Sequence, residues 1–243
     1  MRRLAIAAGA LALAVSAAAP ASAQLRVERR ANLAAPVELG RNQGAILVGF
    51  RRPDAISARR HGAVGFARYD VEARDVIAQP RGARRAGDTN TYWVLAKSGD
   101  RTLESDHALM IVSAGDYVLF GAAPTRILDN TFCLGAPTFR VNPGEVVYFG
   151  DVTPYQNVRF EDGHRANAMA YSADLDAARA ALQSAPALAA AVRPAELRNG
   201  ATFGCVAQNM LSYAVPGAPE LPPAPAPAPA EAAPAPSAPG TGS

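Results

Sequence analysis

The sequence predicts a mainly β chain: a β-sandwich with a C-terminal helical elaboration packed on the sheet. Three observations lead there. Short runs rich in β-formers recur from Gln24 to about Met169, bounded by Gly, Asn, Asp or Ser. Two of these runs are apolar at nearly every position, as strands covered on both faces are. Beyond them the composition turns Ala-rich and the apolar period becomes helical.

Taken in order, LRVERR (25–30) alternates apolar and polar residues. AILVGF (45–50) and NTYWVLAK (90–97) are compact strand-like runs, and GAVGFARYDV (62–71) and VRF (158–160) are less regular ones. ALMIVSAGDYVLFGAA (108–123) is two apolar runs around Ala-Gly-Asp. FRVNPGEVVYFGDV (139–152) is two runs around Asn-Pro-Gly-Glu, where Pro143 fixes φ and Gly144 accepts a positive φ in a tight corner. Gly115-Asp-Tyr-Val-Leu-Phe-Gly121 and Gly144-Glu-Val-Val-Tyr-Phe-Gly150 align without a gap, each opening on Gly then an acid and closing on Phe-Gly. Both are expected to be central strands. Several short strands at this spacing make a sandwich or barrel.

The helical part begins at Ser172, with Ser172 as the expected N-cap and acids in the first turn. Leu175, Ala178 and Leu182 form one apolar stripe. Pro186 suits the first turn of a second short helix that Pro194 is expected to end. These helices should cover an open face or edge of the sheet.

The ends divide the chain. Residues 1–23 read as a secretory signal: Arg2 and Arg3, an apolar run from Leu4 to Ala19, then Ala21-Ser22-Ala23 for a signal peptidase. A sandwich domain is expected over 24–170, a helical and disulfide-tethered segment over 171–215, and a disordered Pro/Ala-rich tail over 216–243. That tail carries ten prolines in 28 residues, too few core-forming side chains to fold. No later run is long and apolar enough to span a bilayer, so no transmembrane segment is expected after cleavage. The expected location is periplasmic or secreted.

One Lys, Lys97, stands against 23 Arg, and loss of Arg2 and Arg3 lowers the formal charge from +3 to +1. A chain so near neutrality is not expected to bind nucleic acid. Cys133 and Cys205 are the only cysteines, and in an exported chain they are expected to form one disulfide that pins TFGCVAQNM onto the strand containing NTFCLG. The alternative is a nucleophilic thiol activated by a histidine.

At SAGDYVLFG and VNPGEVVYFGDV the sequence resembles secreted transthyretin-like or carboxypeptidase-regulatory-like sandwich modules, and the exported envelope proteins of GC-rich proteobacteria that contain them. The resemblance covers about 50 residues. It implies a transthyretin- or immunoglobulin-like sandwich in an accessory, adhesive or binding role. It carries over no functional residue, because the matching positions are turns and strands.

Chemistry-bearing patterns are sparse. His61, His107 and His164 lack metal-ligand spacing, and Asp106-His107 and Asp162-Gly163-His164 read as solvated turn residues. Neither a GxSxG elbow nor a phosphate-cradling Gly loop is present. No cofactor or metal is expected. Asp116, Glu145 and Asp151 are candidate paired carboxylates, since central strands converge such groups at one end of a sandwich, although each falls in or beside an expected turn. Two Arg-rich loops are candidate anion or glycan contacts: RRPDAISARRH with Arg51, Arg52, Arg59 and Arg60, and QPRGARR with Arg81, Arg84 and Arg85, followed by Trp93 as an aromatic platform. The expected function is a non-enzymatic envelope protein that binds another protein or a wall or surface glycan. The alternatives are an exported hydrolase built from scattered Asp, His and Ser, and a structural subunit of a surface assembly.

Overall fold

The structure, a computed structural model, describes residues 31–32, 36–51, 62–99, 105–123, 131–159, 161–163, 165–205 and 210–223. Among the described residues, twelve strands and two short helices follow in chain order: β1 (Gln43–Arg51), β2 (Ala63–Asp70), β3 (Asp75–Val76), β4 (Trp93–Lys97), β5 (Ser105–Ser113), β6 (Gly115–Ala123), β7 (Thr131–Val141), β8 (Val146–Arg159), β9 (Arg165–Ser172), α1 (Leu175–Ala180), α2 (Pro186–Ala190), β10 (Val192–Pro194), β11 (Arg198–Thr202) and β12 (Met210–Ser212). The first sheet runs β10-β8-β1-β5, with β9 also on β8. The second runs β11-β7-β6-β2-β3, with β4 on β2 and β12 on β7. The two sheets pack as a sandwich, as the sequence predicts.

Double-sided burial explains the continuous apolar runs. In β1, Ile46, Val48 and Phe50 face the inter-sheet core, while Ala45 and Leu47 face a second cluster with Ala178, Leu182 and Leu188. The helices therefore roof the outer face of the first sheet. The Leu175, Ala178, Leu182 stripe is the side they bury. The start of α1 differs from the expectation: Asp174 caps it, accepting from Ala177 N at 3.0 Å, and Ser172 ends β9. The second helix also ends before Pro194, because Val192–Pro194 leaves it to run parallel beside Val146–Tyr148. Asn199 moves the fold's end past Val215. Its buried amide bonds Val215 O and N and Ala218 O, and Leu221 N donates back to Asn199 O, so residues 216–223 belong to the folded body.

Both expected central strands are central, with β6 between β7 and β2 and β8 between β1 and its β9/β10 edge. Their shared motif has a structural meaning. Gly65 and Phe66 pair with Gly121 and Leu119, which leaves Phe120 unpaired; Leu47 and Val48 pair with Tyr148 and Gly150, which leaves Phe149 unpaired. Each Phe-Gly is thus a β-bulge. Each Gly-acid opening is a crossing between sheets: β5 to β6 at Gly115 and β7 to β8 at Asn142–Glu145. In the latter, Glu145 N donates to Asn142 O at 3.2 Å and Gly144 has φ +77.

The parallel pairing of β8 with β1 and β10 was not anticipated, nor was the length of β8, which absorbs Val158 and Arg159. LRVERR and Phe160 lie outside the described residues. Among the described residues, no helix is long and apolar enough to cross a membrane.

Candidate functional site

The corner end of the sandwich holds an open groove of about 950 Å³. Its walls come from the β2–β3 turn, the two sheet crossings and the β10–β11 connection, with Leu221 and Pro222 alongside. The cross-sheet corners come close because Gly44 has no side chain: a Cβ there would meet Val141 Cγ1 at 2.5 Å and Asn142 O at 2.6 Å. The lining is charged with both signs, from Arg68, Arg140, Arg193 and Arg198 to Asp70, Glu72, Asp116, Glu145 and Glu196. Arg140 Nη1 donates to Asp116 Oδ2 at 3.1 Å. Arg193 Nη2 donates to Glu145 Oε1, whose other oxygen accepts from Asn142 Nδ2 at 2.9 Å. Arg68 instead ties the crossing down, donating to Ser113 Oγ at 2.8 Å and Ala114 O at 3.0 Å.

Two of the three candidate carboxylates, Asp116 and Glu145, therefore line one groove. The third does not. Asp151 lies inside β8 on the outer face of the first sheet and is 3 % exposed, so it is no turn acid. The Phe149 bulge explains its direction. Without it Asp151 would follow Phe149 into the inter-sheet core; with it Val152 takes that side, and Asp151 joins Tyr148 on the helix side. Gly150 has φ +128, and its α-carbon lies so close to the Tyr171 ring that a Cβ would fall 2.4 Å from it.

Around Asp151 stand Arg51, whose Nε donates to Oδ2 at 2.6 Å, and Tyr148, whose hydroxyl donates to Oδ1 at 2.5 Å. The same hydroxyl accepts from Asp174 N at 3.1 Å, and Arg51 Nη2 reaches Asp174 Oδ2 at 3.3 Å. His107 Nε2 lies 3.7 Å from Asp151 Oδ1, across Gly49 on the intervening strand. Asp151 raises the affinity of Arg51 for its proton, and burial followed by the Asp151 hydrogen bond pushes the Tyr148 hydroxyl well above its usual range. The network joins β1, β5 and β8 to the start of α1. Asp106 and His107, expected in a solvated turn, instead sit within β5, with Asp106 buried. Asp162 and Gly163 do lie in an exposed turn, while His61 and His164 fall outside the described residues.

Arg52, Arg59 and Arg60 also lie outside the described residues. Arg81, Arg84 and Arg85 are exposed on a turn braced by its own backbone, with Ala86 N donating to Gly82 O and Asp88 N to Ala83 O. Asp88 is held by the Tyr92 hydroxyl at 2.6 Å, which keeps its carboxyl below the usual range. No carboxylate among the described residues lies in ion-pair range of the three arginines. Trp93 is half-buried, edge-on to Phe120 at 4.1 Å, and Phe120 stacks on Phe203. Cys133 and Cys205 are joined in a disulfide, which ties that C-terminal segment to β7.

Sequence reasoning missed Gly49, Tyr148 and the groove arginines. Gly49 and Tyr148 sit in apolar runs that read as core, and no local pattern announces which strands become neighbours. Protein-family models, curated proteins and solved structures were all compared with the chain, and none matches it.

Proposed function

We propose that this chain is an exported, non-catalytic envelope protein that binds carboxylate or phosphate groups of a partner protein or surface glycan through its arginine turn. One observation carries the reading: Arg81, Arg84 and Arg85 are exposed with no carboxylate among the described residues in ion-pair range, while Arg51, Arg140 and Arg193 already hold carboxylates. Guanidinium groups suit such anions, and a braced turn keeps them together before binding. The signal-like N-terminus and the disulfide support an exported setting. The test is binding of the mature chain to polygalacturonate, polyglutamate, lipopolysaccharide and neutral dextran. The acidic polymers are expected to bind with an affinity that falls with salt, and R81Q/R84Q/R85Q to lose roughly tenfold or more. Equal binding to dextran, or an unchanged triple variant, overturns the reading. The first two polymers distinguish glycan from protein as the source of the anion.

A second reading, an exported hydrolase, is favoured by the approach of His107 to Asp151. Against it, both oxygens of Asp151 already accept hydrogen bonds. Hydrolysis of nitrophenyl esters or glycosides by the mature chain, abolished in His107→Ala, would support it.

A further inference from the structure

The groove at the corner end is separate from the arginine turn, which does not line it. Its chemistry is repeated. Asp116 with Arg140 and Glu145 with Arg193 place guanidinium donors beside carboxylate acceptors, the first pair on the second sheet and the other between the β7–β8 corner and β10. Exposed Glu196 and Arg198 add both signs to the rim.

The lining favours one kind of ligand. Its aromatic members, Tyr69 and Phe139, are 2 % and 3 % exposed, so no ring face is available for a sugar to stack on. An extended polypeptide meets different demands, because each residue presents one N–H and one C=O. A paired carboxylate keeps further lone pairs for the first, and a guanidinium bonded to its acid through one nitrogen keeps N–H groups for the second. A lining of both signs complements a partner that also carries both, because each charge of the groove then meets its opposite. The volume lies within the usual range for ligand sites. We infer that this groove docks an extended, mixed-charge peptide segment of a partner protein, held by the two guanidinium–carboxylate pairs.

The test titrates the mature chain into a fluorescently labelled peptide of Lys-Ala-Glu-Ala repeats and reads anisotropy. Saturable binding with a Kd of roughly micromolar order is expected. R140Q/R193Q is expected to weaken it by about tenfold or more, and so is the rim neutralisation E196Q/R198Q, which alters only exposed side chains. R81Q/R84Q/R85Q should leave it unchanged, so failure of the arginine-turn reading and failure of this one are distinguishable. Absence of saturation overturns the inference. So does binding that both groove variants retain, or displacement of the peptide by a chitin oligosaccharide.

Discussion

Gly49 and Asp151 sit opposite each other on adjacent parallel strands, and the acid occupies the space that a side chain on the glycine would fill. A Cβ on Gly49 would lie 1.8 Å from Asp151 Oδ1 and 3.2 Å from His107 Nε2. The missing methyl is what lets a carboxylate on β8 and an imidazole on β5 approach across β1. Gly49→Ala must push a buried carboxylate off Tyr148 and Arg51. We expect a loss of about 2–3 kcal/mol, as in an overpacked core, read as a lower midpoint in urea with an unchanged m-value. A midpoint equal to the parent's would show that the network yields freely.

Tyr148 and Arg51 both hold Asp151, but water replaces only one of them. Tyr148 is 2 % exposed, whereas the Arg51 side chain is 47 % exposed. Tyr148→Phe leaves a buried carboxylate oxygen and Asp174 N without their partner, which costs about 1–3 kcal/mol. Arg51→Gln is expected to cost less, because Gln keeps an N–H donor and water enters the space left by the half-exposed guanidinium. Paired urea titrations order the two, and the reverse order would refute this account of the site.

Alkaline pH supplies a second signature of Tyr148. Its folded-state pKa is raised above the ordinary 10.0, so the unfolded chain releases the proton first. The associated stability is complete below pH 10 and is lost as pH rises beyond it. Tyr117, Tyr171 and Tyr213 shift the same way through burial. Stability is therefore expected to be flat towards pH 9 and to fall at higher pH, with a shallower fall in Tyr148→Phe. An equally steep fall in that variant would assign the effect to the other tyrosines.

The disulfide closes a loop between residues 72 apart. Chain entropy alone makes Cys133→Ser/Cys205→Ser about 4 kcal/mol less stable. The local consequence should be opening of β11 and release of Phe203 from Phe120. Hydrogen exchange over 198–205 reads this directly, and unchanged protection there would mean that β7 pairing suffices without the bond.

Asn199 is 4 % exposed and spends both ends of its amide on the C-terminal segment. Asn199→Ala leaves buried backbone groups of Val215 without partners. We expect a loss of about 1–3 kcal/mol, together with faster exchange at Val215 and Leu221. Protection retained at both amides would show that other contacts hold the segment.

Much of this architecture was legible in short windows. AILVGF, ALMIVS and EVVYFG carry apolar residues on both faces because sheets and helices cover both. Leu175, Ala178 and Leu182 show the buried side of α1 for the same reason. The Gly-acid echo marked two matching corners, although not that both cross between sheets. The site was less legible. Asp116, Glu145 and Asp151 look alike in sequence, each an acid next to a glycine. Two line the groove and one is buried, because a bulge after Tyr148 turns only Asp151 to the helix side.

By itself the sequence determined the apolar strands β1, β2, β4 to β6 and β8, which cysteines pair and which helical face is buried; β3 and β9 to β12 carry no such run and were placed only by their partners. All three follow from side-chain type and local period, so a short window or a simple count contains them. Only the tertiary structure decided where Asp151 points, which arginines are neutralised and which stay exposed. Those outcomes depend on register and pairing between strands such as β1 and β8, about a hundred residues apart. A one-residue bulge inverts the faces of a strand, and no pattern within that strand alone says which face its partners will cover.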